Sequence, residues 1–564
     1  MIKIIFPFLF FFGIQLAAQN NIPKDYFSSP LDIPIILAGN FGELRSNHFH
    51  SGLDIKTQQK RGFPIYAPAD GHVKRIKVGH YGYGKALYLQ HPNGYITVYA
   101  HLQKYAGAIQ KYVKEKQYDK EEYEIELFPE PSVLTVKKGE LIGYTGNSGS
   151  SGGPHLHFEI RDSASRPMNP MLFGIDIPDS RPPLVNSVFA YPIGEGSQVN
   201  KSQNPVKLNL KKQKDGTYRA TKIVGSGRIG IGVGTNDQHD GASNKNGVYE
   251  IKATYNGTQK YRVLFNKFSF AETRYLNRFI DYREYKQNKD RVQKLFREPN
   301  NPLSIIVDED DSGFIEIEDG FSSVYTIEIV DFSGNVSVIT IPIEGKAQDI
   351  VEENTVGDSL EFIVHDQGNS ITKGKFGVYI PSGSLYEDTY LEIESSGDTL
   401  KLHEDVVPLH KNMTISYDAS QYKKEDMGQL YIGRHNYRGP AYYNTTYRNG
   451  SKLSAKTRRF GTYVLAMDTS LPTIVPVNFE HDKWISKNKT LVLKIEDEIS
   501  GISSYRATIN GKYILTEYDY KKDVLVYDFD DNIVTETENN LKVIVVDNVG
   551  NSATFEATFF RKQP

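Results

Sequence analysis

Gly153-Pro154-His155-Leu156-His157-Phe158-Glu159 leads into a run, His155 to Arg161, in which β-formers alternate with polar residues. Residues two apart on a strand point to the same face. His155 and His157 therefore project together into one cleft, with Leu156 directed into a core. Three similar runs lie upstream, Gly71 to Val78, Ala86 to His91 and Tyr95 to His101. Asn93-Gly94 between the last two is a strong hairpin signal. Residues from about 30 to 177 thus read as a domain of short strands and Gly-rich turns.

Histidine is concentrated in this region. Of fourteen in the chain, eight fall between His48 and His157. They form three local patterns: His50-Ser51-Gly52-Leu53-Asp54, Tyr99-Ala100-His101-Leu102 and His155-Leu156-His157. A catalytic zinc needs about three N or O ligands and an open position for water. His50 and Asp54 share a face if Gly52 opens the strand or turn between them. The chain has no cysteine, which excludes a thiol nucleophile, a Cys-type zinc site and a lipid anchor on Cys. Metal chemistry must use His, Asp and Glu.

Other histidines have plainer readings. His48 forms a second H-x-H with His50 but lacks the spacing to Asp54. His72, His80 and His91 sit in strand or turn contexts and read as surface or structural. The six from His239 to His481 are scattered and predict no metal-like cluster. Gly146 to Gly153 is only superficially a phosphate-cradling loop, since it lacks the G-K-[ST] ending and a strand follows. It reads as a tight turn bordering the substrate cleft.

In this order, H-x-x-x-D, Y-A-H-L and H-L-H resemble the lysostaphin-like metallopeptidases, the M23 or LytM family. The resemblance covers roughly residues 35 to 175. It includes Ala67-Pro68-Ala69-Asp70-Gly71, Gly82-Tyr83-Gly84 and Lys138-Gly139-Glu140-Leu141-Ile142-Gly143. It implies Zn2+ held by His50, Asp54 and His157, with His101 and His155 as catalytic, non-ligand histidines facing the metal-bound water. It also implies hydrolysis of the peptide cross-links of peptidoglycan, with peptide stems as the partner. All five positions are filled, unlike in relatives that keep the fold and act only as activators. The alternative is a non-catalytic envelope module that binds wall peptides or regulates another wall hydrolase; zinc content separates the two.

The 564 residues leave room for several further domains. Apolar residues at 39% and charged residues at 24% exclude wholesale disorder, and a formal charge of −3 implies no broad attraction to nucleic acid or anionic membrane. Lys3, the apolar run Ile4 to Ile14 and Leu16-Ala17-Ala18 read as a secretory signal peptide over residues 1–18. Its cleavage places the protein in the periplasm or cell envelope, with no membrane span remaining.

The expected fold is mostly β. A lysostaphin-like antiparallel sheet domain (19–177) precedes an Ig-like β-sandwich (178–345), a β-rich middle domain (346–467) and a second Ig-like sandwich (468–564). The two sandwiches rest on an internal echo: a strand, a D-x-x-G-N turn at Asp331–Asn335 or Asp547–Asn551, and a second strand. A capping box, Ser269 with Glu272, predicts a helix near 270–297 inserted in the first sandwich. The Lys- and Glu-rich stretch Ala108 to Pro131 reads either as a solvated loop or hairpin, or as a lid or wall beside the site. The tail is expected to hold the catalytic domain in place, through an envelope protein partner, so that deleting 347–564 leaves hydrolysis intact.

Overall fold

The computed structural model describes residues 22–350 and 360–562, and these are built mainly from strands. The signal peptide expected over 1–18 lies outside the described residues. Among the described residues no helix is long and apolar enough to cross a membrane.

Alternation of apolar and polar side chains makes the first domain. Its strands are β1 (Leu37–Gly39), β2 (Leu53–Lys56), β3 (Gly71–Val78), β4 (Ala86–Gln90), β5 (Ile96–Ala100), β6 (Ile125–Leu127) and β7 (His155–Arg161). They pair antiparallel in the order β1-β2-β7-β5-β4-β3-β6. Leu156, Phe158 and Ile160 of β7 enter the core, against Ile65 and Ile142 of a smaller three-stranded sheet. Burying each such side chain contributes about 1.5–3 kcal/mol. The polar set of β7 is left on the opposite face, between β2 and β5. Asn93-Gly94 does form the turn from β4 to β5, closed by a Gly94 amide to His91 carbonyl bond of 3.0 Å.

Residues 108–131 differ from the expected loop or hairpin. A helix, α1 (Gly107–Lys120), is followed by β6 on the sheet edge. Ile109, Val113 and Gln117, spaced by four, supply a buried stripe that the surrounding Lys and Glu obscure. The other side of α1 meets the last domain, where Lys114 and Tyr118 bind Asp531.

The second domain centres on the strands Leu184–Pro192, Ile223–Asn236, Ser322–Val330 and Val336–Gly345. Its core includes two residues of the first domain. Phe41 and Phe49 pack among Phe265, Phe268 and Phe279. The segment ending at His50 is therefore held by both domains. Phe49→Ala is expected to cost about 3–5 kcal/mol of stability, read as a lower midpoint of denaturant unfolding; an unchanged midpoint contradicts this shared core.

The inserted helix is broken into three pieces, Thr273–Tyr275, Leu276–Phe279 and Tyr282–Asn288. The capping box forms, with the Glu272 carboxylate accepting the Ser269 amide at 2.6 Å. Ile280 then turns extended and bridges to Gln293, which ends the helix early. The two D-x-x-G-N turns are built alike. In each, the Asn side chain donates to the Asp carboxylate at 2.8 Å and the strands either side pair antiparallel. Beyond residue 359, two further domains each pack two sheets around a separate core.

Candidate metal centre

Register sets the site. His157 of β7 lies opposite Asp54 of β2 on one side and Ala100 of β5 on the other. His101 follows β5 directly, and His50 ends the segment anchored by Phe49. Gly52 allows the His50–Asp54 segment to lie close against β7: a Cβ there would lie 2.3 Å from the Phe158 carbonyl oxygen. Gly52→Ala is expected to displace β7 and weaken metal binding in a chelator competition, whereas unchanged affinity would show that the strand tolerates the shift.

His50, Asp54 and His157 are all buried and bring one donor atom each to a common point. His50 Nε2 lies 3.1 Å from Asp54 Oδ1 and 3.0 Å from His157 Nδ1, and His157 Nδ1 is 2.8 Å from Asp54 Oδ1. The outer ring nitrogens fix the tautomers. His50 Nδ1 faces the Asn40 carbonyl at 2.7 Å and must donate to it. His157 Nε2 faces the Glu159 carboxylate at 2.8 Å and donates there. Each ring then points a bare lone pair at an anionic oxygen. Only a cation satisfies three converging lone pairs, so the residues fit a metal ion.

The electrostatics agree. Burial works to raise the Asp54 pKa, but His50, His155 and His157 outweigh it and hold the carboxyl well below its usual range. Burial likewise opposes a charge on His157, yet Asp54 and Glu159 raise its pKa to about 9. The centre attracts positive charge, and a metal ion supplies it.

His101 and His155 face the same point from the open side. His101 Nδ1 donates to the Ser148 carbonyl at 2.9 Å, and His155 Nδ1 to the Gly153 carbonyl at 2.8 Å. Their rings are 4.8 Å apart, and His155 Nε2 is 3.4 Å from Asp54 Oδ1. Both therefore present an Nε2 lone pair. Burial, with His157 and His155 beside it, lowers the His101 pKa to about 3, leaving a neutral ring at pH 7. His101 holds a φ of +60°, a strained conformation for a non-glycine residue, maintained by its amide bond to the Tyr83 carbonyl at 2.9 Å.

The 146–153 loop is what positions these two rings. Gly149 has φ +69°, and a Cβ there would meet the Gly82 oxygen at 2.3 Å, so this turn locks against the Gly82-Tyr83-Gly84 turn. His48 is exposed, with its ring against the Ser46 carbonyl, and His91 is satisfied between the Asp70 carbonyl and Thr97.

Three supporting residues went unread in the sequence. Glu159, fully buried, accepts from His157, Ser51 and Tyr83 on Oε1 and from Arg161 on Oε2. Arg45 holds the second oxygen of Asp54 at 2.6 Å, leaving Oδ1 for the metal point. Asn40 supplies the carbonyl that orients His50. For Glu159 a signal existed: the alternation His155, His157, Glu159, Arg161 continues along one face of β7.

Residues 48–118 and 133–170 match the model of peptidase family M23. The N-terminal domain belongs to that family. Residues 360–468 match a Zu5-like domain. The chain is 38% identical over 122 residues to an uncharacterized metalloprotease of Haemophilus influenzae, covering 22% of this chain and 20% of that one. It is 33% identical over 136 residues to the DD-carboxypeptidase/endopeptidase Mpg of Neisseria meningitidis, covering 24% and 25%. The peptidoglycan DD-endopeptidase ShyA of Vibrio cholerae is 32% identical over 169 residues, covering 29% and 33%. The chain thus spans a third or less of the length of these relatives.

Proposed function

We propose that the protein is a zinc-dependent endopeptidase of the cell envelope that hydrolyses peptide cross-links of peptidoglycan. The carrying observation is the convergence of His50, Asp54 and His157 lone pairs on one point, faced by His101 and His155. Zinc, when bound by His50, Asp54 and His157, supplies a Lewis acid that polarises a carbonyl and lowers the pKa of a water to about 7. The chain's own residues do the rest. An Nε2 lone pair of His101 or His155 accepts the proton of the attacking water, and the ring returns it to the leaving amine nitrogen. The protonated ring stabilises the oxyanion in between. Glu159 and Asn40 keep the ligand rings in the tautomers that present lone pairs inward.

Relatives named for DD-endopeptidase activity support a D,D cross-link over a glycine bridge as the bond cut. Such a substrate places the protein outside the cytoplasm. The test is mass analysis of muropeptides after incubation with purified peptidoglycan. Cross-linked dimers should yield monomers with a new D-alanine carboxylate. Products cut within the sugar strand or at a glycine bridge would reject the assignment.

The tail is part of this proposal. Tyr520 donates to the Gly149 carbonyl at 3.2 Å and Lys521 to the Asn147 carbonyl at 2.8 Å, either side of the Ser148 carbonyl that orients His101. These contacts argue against the expectation that deleting 347–564 leaves hydrolysis intact. The double substitution Tyr520→Phe and Lys521→Ala should lower kcat by up to about 100-fold through misplacement of His101, with metal content unchanged. An unchanged kcat would mean that the last domain serves placement alone. Exposed Tyr437 and Trp484 in the last two domains offer aromatic surface for an envelope partner.

A further inference from the structure

The junction of the first two domains holds a second set of metal-ligating side chains. Asp179 stands in the exit from the first domain, and Asp237 and His239 follow the long strand Ile223–Asn236 of the second. One donor atom from each lies within 4.8 Å of the others. The sequence predicts no metal-like cluster among the tail histidines. The fold differs because His239 is completed by carboxylates from two separate segments rather than by other histidines.

Asp237 is 1% exposed, and neither of its oxygens has a donor in hydrogen-bond geometry. Asp179 accepts the Arg181 amide on Oδ1 at 3.1 Å, while its buried Oδ2 meets no N–H donor and has the Asp237 and Asp331 carboxyls beside it. His239 Nδ1 meets the Asn246 side-chain amide at 2.9 Å; with that amide turned so that its otherwise unpartnered oxygen accepts, Nε2 is left bare, 3.5 Å from Asp237 Oδ2, a distance long for a direct bond. The Arg181 guanidinium turns away, to the carbonyls of His239 and Ala242. Asp331 adds a further negative charge beside Asp237. Burial, with Asp179 and Asp331 beside it, raises the Asp237 pKa to about 7, so its anion near neutral pH is relieved either by a proton or by a cation.

We infer that Asp179, Asp237 and His239 bind a second divalent cation at this junction. The mixed oxygen and nitrogen donors favour Mn2+ or Zn2+ over Ca2+ or Mg2+.

The last domain supplies a control within the same chain. Its D-x-x-G-N turn also gathers three carboxylates, Asp468, Asp497 and Asp547. Asn551 donates to the Asp468 carbonyl at 3.1 Å, as Asn335 does to that of Asp179 at 3.3 Å. There, however, backbone amides reach all three carboxylates, although Asp497 Oδ1 is left unpartnered. Asp468 accepts from Ser470 and Ser500, Asp497 from Ile499, Ser500 and Gly501, and Asp547 from Val549, Gly550 and Asn551. Asp237 has only the neighbouring Gln238 amide near its charge, outside good hydrogen-bond geometry, and the Asp179 and Asp331 carboxyls beside it.

The junction also leads to the catalytic centre. Asp237 and Asn246 exchange backbone hydrogen bonds of 2.9 and 2.8 Å. The next residue, Gly247, is gripped by both atoms of the Asn40 side chain at 2.7 Å. The Asn40 carbonyl in turn accepts the His50 proton. A cation at the junction braces the segment that orients a catalytic ligand.

The experiment uses the full chain carrying His157→Ala, so that cation retained does not depend on the M23 site or on its proposed activity. After chelation and dialysis, Mn2+ is titrated and followed by its electron paramagnetic resonance signal and by the melting temperature. One equivalent should bind and raise the melting temperature, and addition of Asp237→Asn should abolish both effects. In the cation-free state Asp237→Asn should melt higher, since it removes an unpaired buried charge. Absence of Mn2+ binding to the His157→Ala chain, or binding undiminished by Asp237→Asn, would overturn the inference. Should Asp237→Asn fail to fold, Asp179→Asn and His239→Gln are read the same way.

Discussion

His101→Ala and His155→Ala each keep the metal and lose about 10²–10⁴-fold in kcat. The argument rests on which nitrogen points where. Each ring commits Nδ1 to a backbone carbonyl of the 146–153 loop and turns Nε2 to the metal point. Neither Nε2 is needed to complete the ligand set, because His50, Asp54 and His157 already supply three donors. Removal therefore takes away proton transfer and leaves binding. The measurement is metal content by mass spectrometry beside kcat on a cross-linked muropeptide. A folded His155→Ala protein without metal would make His155 a ligand, a real alternative given its 3.4 Å approach to Asp54.

Glu159→Gln has the second large effect, and it acts at a distance from substrate. The carboxylate is fully buried, with His157 on one oxygen and Arg161, 2.6 Å away, on the other. Gln keeps the volume but loses the charge. Its amide nitrogen also meets a donor, whichever way it is turned. Disturbing such an outer partner of a metal-bound histidine typically costs 10–100-fold in metal affinity or activity. Arg161 is left as an uncompensated buried charge, a loss of about 3–5 kcal/mol in stability. Chelator competition and denaturant unfolding read the two effects separately. A variant with unchanged metal affinity would show that His157 is oriented by packing alone.

Much of the site was legible because β-strand alternation is a strong local signal. Gly71–Val78 and His155–Arg161 are strands over the range their sequence predicts, and β4 and β5 differ only at their ends. Once β7 is a strand, His155 and His157 share a face by geometry. What local sequence cannot show is which distant backbone meets a side chain. Asn40 works through its carbonyl, which any residue could supply, and Arg45 reaches Asp54 only through the turn that β1 and β2 create. Helix α1 was hidden because its buried stripe includes Gln117 among many charges. Phe41 and Phe49 read as first-domain residues, and their burial in the second domain's core depends on the packing of two folds.

The most direct measurement compares the full chain with its His157→Ala variant for bound zinc and for cleavage of purified cross-linked muropeptide dimers. The account predicts that the variant loses the catalytic zinc and that only the unsubstituted chain converts dimers to monomers. A folded, zinc-loaded chain that leaves every dimer intact would contradict it, and so would a variant that still cuts.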